Sequence, residues 1–238
     1  MERPFDESWF YAPLFEIGER AELSEEESRH LRKVLRLAPG RHVFASNGKG
    51  GVFLCENRGK GQTVELIALD LHISETTPPP LNMVLSLLKG RDLEEPVEGL
   101  CQLAMQAIHI VTTDHTQEFK GQDHGRLVER LRAKSLVALK QAKKAWLTEI
   151  HSPLPLRQWR KENRDMAIIL IHPGADKIPN KAMQSYGLLT GPEGGFSNSE
   201  LEWLDQEGCF RVGLGGTRLR GTHAPLFACG KLMGLWND

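Results

Sequence analysis

The spacing of apolar positions changes character near residue 80. Before it, apolar residues come in short runs, His42 to Ser46, Val52 to Glu56 and Thr63 to Leu69, separated by Asn47-Gly48-Lys49-Gly50-Gly51 and Asn57-Arg58-Gly59-Lys60-Gly61. Runs of this length between glycine-rich turns predict short β-strands. A helix from about Glu25 to Leu37 precedes them, with Ser24 as its N-cap and Ala38-Pro39-Gly40 as its stop. Pro78-Pro79-Pro80 can continue neither a helix nor a central strand, and they mark the break. Beyond them an apolar run, Leu81 to Leu88, is followed by a helix near Leu93 to Ala107, a β-branched run Ile108 to Thr112 and a helix from about Gly125 to Lys144. Strands at Met166 to Ile171, Tyr186 to Thr190 and Phe210 to Leu214 then alternate with helices, the last of them apolar and running to about Trp236. Near-continuous apolar strands between helices predict a parallel sheet buried on both faces. The expected organisation is a mostly β domain over residues 1–75 and an α/β domain over residues 80–238.

Three loops in the second half carry candidate chemistry. In Thr190-Gly191-Pro192-Glu193-Gly194-Gly195-Phe196-Ser197, three glycines permit close backbone approach, and Ser197 with Glu200 fits the capping box of a following helix. A strand-to-helix loop of this kind lies where ligands bind in open α/β sheets. Leu214-Gly215-Gly216-Thr217-Arg218-Leu219-Arg220-Gly221-Thr222-His223 likewise follows a short strand and precedes a helix. His172-Pro173-Gly174-Ala175 follows the strand that ends at Ile171. Glu193 and the lack of a following Gly-Lys-Ser/Thr argue against a phosphate-binding loop.

The formal net charge is only −1, but it is unevenly distributed. Residues 16–27 hold six Glu and one Arg, residues 29–41 five Lys or Arg and no acid, and residues 126–164 eleven Lys or Arg against three Glu. Basic patches of this kind are the footprint of a phosphate-backbone binder, although a solvated helix face has the same composition. Arg29, Arg32, Lys33, Arg36, Lys140, Lys143 and Lys144 are the candidate residues for gripping such a backbone. Cys55, Cys101, Cys209 and Cys229 are widely spaced without a CxxC pair, and the histidines form no HxxxH or HExxH pattern. Free thiols and no metal are expected. With no apolar run of membrane-spanning length and no signal-peptide pattern at the N terminus, a cytoplasmic protein is expected, with no membrane or DNA partner.

Taken together, the three loops resemble those of the SPOUT methyltransferases, and most closely the RsmE family, which methylates N3 of a uridine in bacterial small-subunit ribosomal RNA. Arg29-His30-Leu31-Arg32-Lys33-Val34-Leu35-Arg36-Leu37-Ala38-Pro39-Gly40 resembles that family's N-terminal signature. The resemblance implies a PUA-like RNA-binding β-barrel ahead of a parallel sheet with a C-terminal trefoil knot, a homodimer, and S-adenosylmethionine held among the knot loops. Carried onto this chain, the cofactor residues are His172, Thr190, Gly191, Pro192, Glu193, Gly194, Gly195, Leu214, Gly215 and Leu219.

Arg220 matches the arginine of the family's Leu-Arg pair, and it is the candidate catalytic residue. Arginine is a poor proton acceptor, so stabilisation of an anionic uracil oxygen is the role its chemistry allows. Where the family reads Pro-Arg and later Thr-Glu, this chain has Gly216-Thr217 and Gly221-Thr222, with His223 as a possible substitute base. Two functions follow from the sequence: a uridine-N3 methyltransferase of ribosomal RNA, or a catalytically weak or inactive paralogue serving as an RNA-binding or ribosome-assembly factor.

Overall fold

The computed structural model describes residues 8–59, 62–78, 80–88, 92–103, 105–116, 124–172, 185–215 and 219–237. The chain forms two compact units, one of Met1–Pro79 with Leu136–Leu147 and the other of Pro80–Ser135 with Thr148–Asp238. Residues Leu136–Leu147, expected in the second domain, therefore pack with the first.

In the first unit, β1 (Trp9–Tyr11), β2 (Arg20–Glu22), β3 (His42–Ser46), β4 (Gly51–Asn57) and β5 (Glu65–Ser74) form a sheet in the order β1-β3-β4-β5-β2. Only the β1–β3 pair is parallel. Phe10, Leu14, Leu23, Leu31, Val43, Phe53 and Leu66 fill its core. Helix α1 (Glu25–Arg29) starts at Ser24, whose side chain accepts from the Glu27 N–H. It passes directly into a π-helical turn, His30–Val34, which apolar spacing cannot distinguish from α-helix.

The second unit holds a six-stranded parallel sheet in the order β11-β9-β10-β6-β7-β8. Its strands are β6 (Leu81–Ser86), β7 (Ala107–Thr112), β8 (Glu149–Pro155), β9 (Ala167–Ile171), β10 (Tyr186–Thr190) and β11 (Phe210–Val212). Every residue of β6 and β10 is buried, as expected for strands covered on both faces. The helices are α2 (Glu94–Gln102), α3 (His124–Gln141), α4 (Leu156–Glu162), α5 (Asn198–Gln206) and α6 (Ala224–Asn237). α3 begins in this unit and ends in the first. Trp159 of α4 packs with Val84, Val111, Ile168, Leu170 and Leu189 in the core of the sheet.

Two elements depart from the sequence reading. The helix expected to reach Ala107 stops at Gln102, because Leu103 is extended and Ala107 pairs with Glu149 in the parallel β7–β8 ladder. β8 carries two prolines and three polar residues and gave no strand signal, yet it pairs with β7 at the sheet edge, where a strand tolerates proline. The expected trefoil knot involves residues 173–184 and 216–218, which lie outside the described residues.

Candidate functional site: a cavity at the carboxyl edge of the parallel sheet

Because the strands are parallel, the loops leaving β9, β10 and β11 emerge at one edge, and a cavity of about 520 Å³ lies among them. Ile171 ends β9 and is followed by His172, whose N–H donates to the Val212 carbonyl at 3.1 Å. The loop after β10 supplies Thr190, Gly191, Pro192, Glu193, Gly195 and Phe196. From the segment leading to α6 come Leu214, Gly215, Leu219, Gly221 and Ala224. The volume suits a drug-sized ligand, and the lining is mostly apolar or main chain, as in small-molecule sites generally.

Nine of the ten residues nominated for the cofactor thus meet at one cavity. Gly194 is the exception: a Cβ placed there would lie 3.2 Å from His115 Cβ, so that position faces the turn after β7. Ile171, Phe196, Gly221 and Ala224 are lining residues that sequence reasoning did not name. Phe196 had a signal, since it lies within the glycine loop nominated from the sequence. A Cβ on Gly191 would approach the Phe196 ring to 2.8 Å. Gly195 and Gly215 adopt φ of +73° and +115°, conformations that L side chains rarely take.

The polar features of the cavity are few. Thr190 is 3% exposed, and its Oγ1 has no hydrogen-bond partner among the described residues. Glu193 is the lone acid of the lining among the described residues, and a Cβ on Gly221 would come within 4.0 Å of its Cγ. A buried hydroxyl lacking a partner and a carboxylate at the wall fit a ligand that carries both hydrogen-bonding groups and positive charge.

Arg220 does not line the cavity. It is exposed between the lining residues Leu219 and Gly221, and its carbonyl accepts from the N–H groups of His223 and Ala224 where the chain turns into α6. His223 is exposed in the same turn.

The loop is held from α5 by the capping box read in the sequence. Ser197 Oγ accepts from the Glu200 N–H at 3.2 Å, and Glu200 Oε2 accepts from the Ser197 N–H at 2.9 Å. Glu200 is only 3% exposed, because its second oxygen accepts the Asp114 N–H at 2.9 Å. That second partner lies in the turn after β7, 86 residues earlier in the chain.

The basic candidates divide. Arg29, Lys33 and Arg36 are exposed, Arg36 with a φ of +52°, and Arg32 is half-buried. The three lysines do not form a basic face. Lys140 is ion-paired with Glu27, and the Lys143 ammonium lies 5.7 Å from the centre of the Trp9 ring. Lys144 is 7% exposed, so it cannot grip RNA in this state. The reason is local: Ala145 packs with Trp9, Phe44 and Val52, while the Ala145 carbonyl and the Leu147 N–H bond to the Gly50 N–H and the Gly48 carbonyl. The chain around Lys144 is consequently drawn into the core of the first unit.

Among the described residues no group of three His, Cys, Asp or Glu could hold a metal ion, and no helix is long and apolar enough to cross a membrane. None of the four cysteines is in a disulfide, and burial pushes the thiols of Cys55 and Cys209 up to about 12. Neither is a nucleophile near neutral pH.

A six-stranded parallel sheet with a ligand-sized cavity among its carboxyl-edge loops, preceded by a five-stranded β unit, defines a two-unit α/β protein with a small-molecule site. The chain belongs to the RNA methyltransferase domain family, whose family model matches residues 75–233, and the model of the RNA methyltransferase PUA domain matches residues 23–56. It is 25% identical to a ribosomal RNA small subunit methyltransferase E of Synechocystis sp., covering 94% of this chain and 76% of the relative. The corresponding protein of Mycobacterium bovis is 29% identical over 91% of this chain and 87% of its own length. The crystal structure of a ribosomal RNA small subunit methyltransferase E from Neisseria gonorrhoeae, bound to S-adenosyl methionine, shares the fold with a TM-score of 0.82 at 21% identity, covering 97% of this chain and 98% of that one.

Proposed function

We propose that this protein transfers the methyl group of S-adenosylmethionine to N3 of a uridine in small-subunit ribosomal RNA, in the cytoplasm. The observation that carries the reading is the cavity at the carboxyl edge, in a chain of the RNA methyltransferase family. The relatives' names supply the RNA class.

The residues present fit the donor. Main chain of Thr190, Gly191, Leu214 and Gly215 offers hydrogen-bonding groups to an adenine, with Leu219 and Phe196 as apolar walls. Glu193 places a negative charge beside a ligand that is cationic at its sulfonium and ammonium. When bound, the donor supplies a methyl carbon that passes from sulfur to the uracil nitrogen and leaves a neutral thioether. The N3 proton must go to solvent or to a base, and the negative charge left on the uracil spreads to its oxygens. Arg220 is exposed beside the cavity, where a permanently charged guanidinium can stabilise that oxygen and lower the barrier.

Arg220→Ala should therefore lower kcat by about a hundredfold while leaving donor affinity unchanged, as expected when one donor to a developing oxyanion is removed. Mass-spectrometric comparison of ribosomal RNA nucleosides from cells with and without the gene tests the reaction itself. Loss of 3-methyluridine is the expected result. An unchanged nucleoside profile together with intact RNA binding would overturn the reading in favour of an assembly factor without turnover.

RNA is gripped by Arg29, Lys33 and Arg36 of the first unit in this reading. Binding should weaken with salt, and replacing Arg29 and Lys33 by Ala should flatten the logarithmic salt slope by about 0.7 to 0.9 for each phosphate left without its cation. Lys144→Ala should instead lower the melting temperature, because that side chain is interior. Salt-independent binding would refute the assignment. The active species is a homodimer in the same reading, a role for which α6 offers an apolar surface with Phe227 64% exposed. A sedimentation mass of one 26.7 kDa chain at micromolar concentration would count against it.

A further inference from the structure

Asp114 and His115 occupy the turn after β7, outside the cavity lining, yet they make several contacts with the loop that shapes it. The turn is closed on itself: the Thr113 N–H donates to Thr116 Oγ1 at 2.8 Å, and the two threonine hydroxyls are 3.0 Å apart. From this base, His115 Nδ1 stands 3.2 Å from the Gly194 carbonyl oxygen and 3.1 Å from that of Gly195. Carbonyl oxygens only accept, so Nδ1 carries a hydrogen and donates to both, whichever charge the ring bears. Asp114 closes the other side. Its N–H donates to Glu200, and its carboxylate accepts from the hydroxyls of Ser197 and Ser199.

We infer that this turn is a clasp for the donor loop and that His115 is a positioning residue for donor binding, acting through the Gly194 and Gly195 carbonyls rather than by touching the ligand. The loop needs such a device because glycine is the residue with the most conformations to lose on ordering. Gly194 and Gly195 adjoin each other, Gly195 has a φ of +73°, and the local bond from its N–H to the Pro192 carbonyl at 2.9 Å spans only one turn. Holding both carbonyls from behind restricts the loop before the ligand arrives, so binding orders less chain. The inference rests on the cavity being the donor site.

His115 is exposed, so its replacement leaves the core intact. His115→Ala should weaken S-adenosylmethionine binding by about five- to tenfold, the value of one net hydrogen bond, with an unchanged melting temperature. His115→Asn should restore affinity, since its amide nitrogen takes the place of Nδ1. His115→Gln should not, because its amide lies one bond further out. Calorimetry on the full chain reads all four proteins. Amide exchange at Gly195 and Ser197, measured without ligand, should speed up in the Ala and Gln variants and return to the parent rate in Asn. Failure of the parent to bind S-adenosylmethionine sinks the donor-site reading and the positioning role with it, while exchange measured without ligand still decides whether the turn clasps the loop. Unchanged exchange in His115→Ala, equal loss in Ala and Asn, or a fall in affinity that only tracks a fall in melting temperature overturns the clasp.

Discussion

Gly191→Val is expected to weaken S-adenosylmethionine binding by about 5- to 150-fold, equivalent to the roughly 1–3 kcal/mol by which overpacking disfavours a filled site. Gly191 leaves β10 at the cavity wall, and an added Cβ would meet Phe196 Cε2 at 2.8 Å and Cδ2 at 3.1 Å. The first is closer than side-chain carbons tolerate and the second is tight, so the ring must move. Phe196 itself lines the cavity, and the two branches of valine leave the ring little room elsewhere. Gly191 is only partly buried, outside the β6–β10 ladder that carries the core. The variant should therefore fold, with its melting temperature near that of the parent. Calorimetric titration of both proteins decides the matter: a folded Gly191→Val with parental affinity would mean that the donor binds elsewhere.

Stability should fall as the pH drops from about 6.5 to about 4, and His109 is the residue responsible. It lies on β7, 8% exposed, with its ring stacked at 4.4 Å on His151 of β8 and 5.6 Å from the Trp159 ring. Burial first, and the neighbouring His151 second, push its pKa down from 6.5 to about 4. Above pH 6.5 the side chain is neutral folded and unfolded, and it adds no pH dependence. Between the two values the unfolded chain takes up a proton that the folded one refuses, so acid favours unfolding. The full effect is about 3 kcal/mol by pH 4, since each unit is worth about 1.4 kcal/mol. His109→Gln removes the titrating group and should flatten the melting-temperature profile across that window. A profile as steep in the variant as in the parent would assign the acid sensitivity to other groups.

The sequence by itself determined the alternation of apolar strands and helices after Pro80, because strands covered on both faces must be apolar at nearly every position. It also determined the glycine loop and the capping box of Ser197 and Glu200, since both depend on residues within a few positions of one another. That nine of the ten residues proposed for the cofactor from the family resemblance line one cavity follows from strand-to-helix loops of a parallel sheet leaving at one edge.

Only the tertiary structure decided the rest. β8 pairs despite its prolines because it lies at the sheet edge, which composition does not record. The lysines near the end of α3 read as a basic patch, but charge counts do not show which cations are spent on Glu27, on the Trp9 ring or in the interior. Gly221 and Ala224 line the cavity because the chain entering α6 folds back to the edge where the loop after β10 leaves. His115 and Asp114 are some 80 residues from the loop they hold, and no local pattern connects a turn after β7 to two carbonyl oxygens after β10. Short-range preferences act through neighbours in the chain, whereas burial, ion pairing and the clasp arise between segments that only packing brings together.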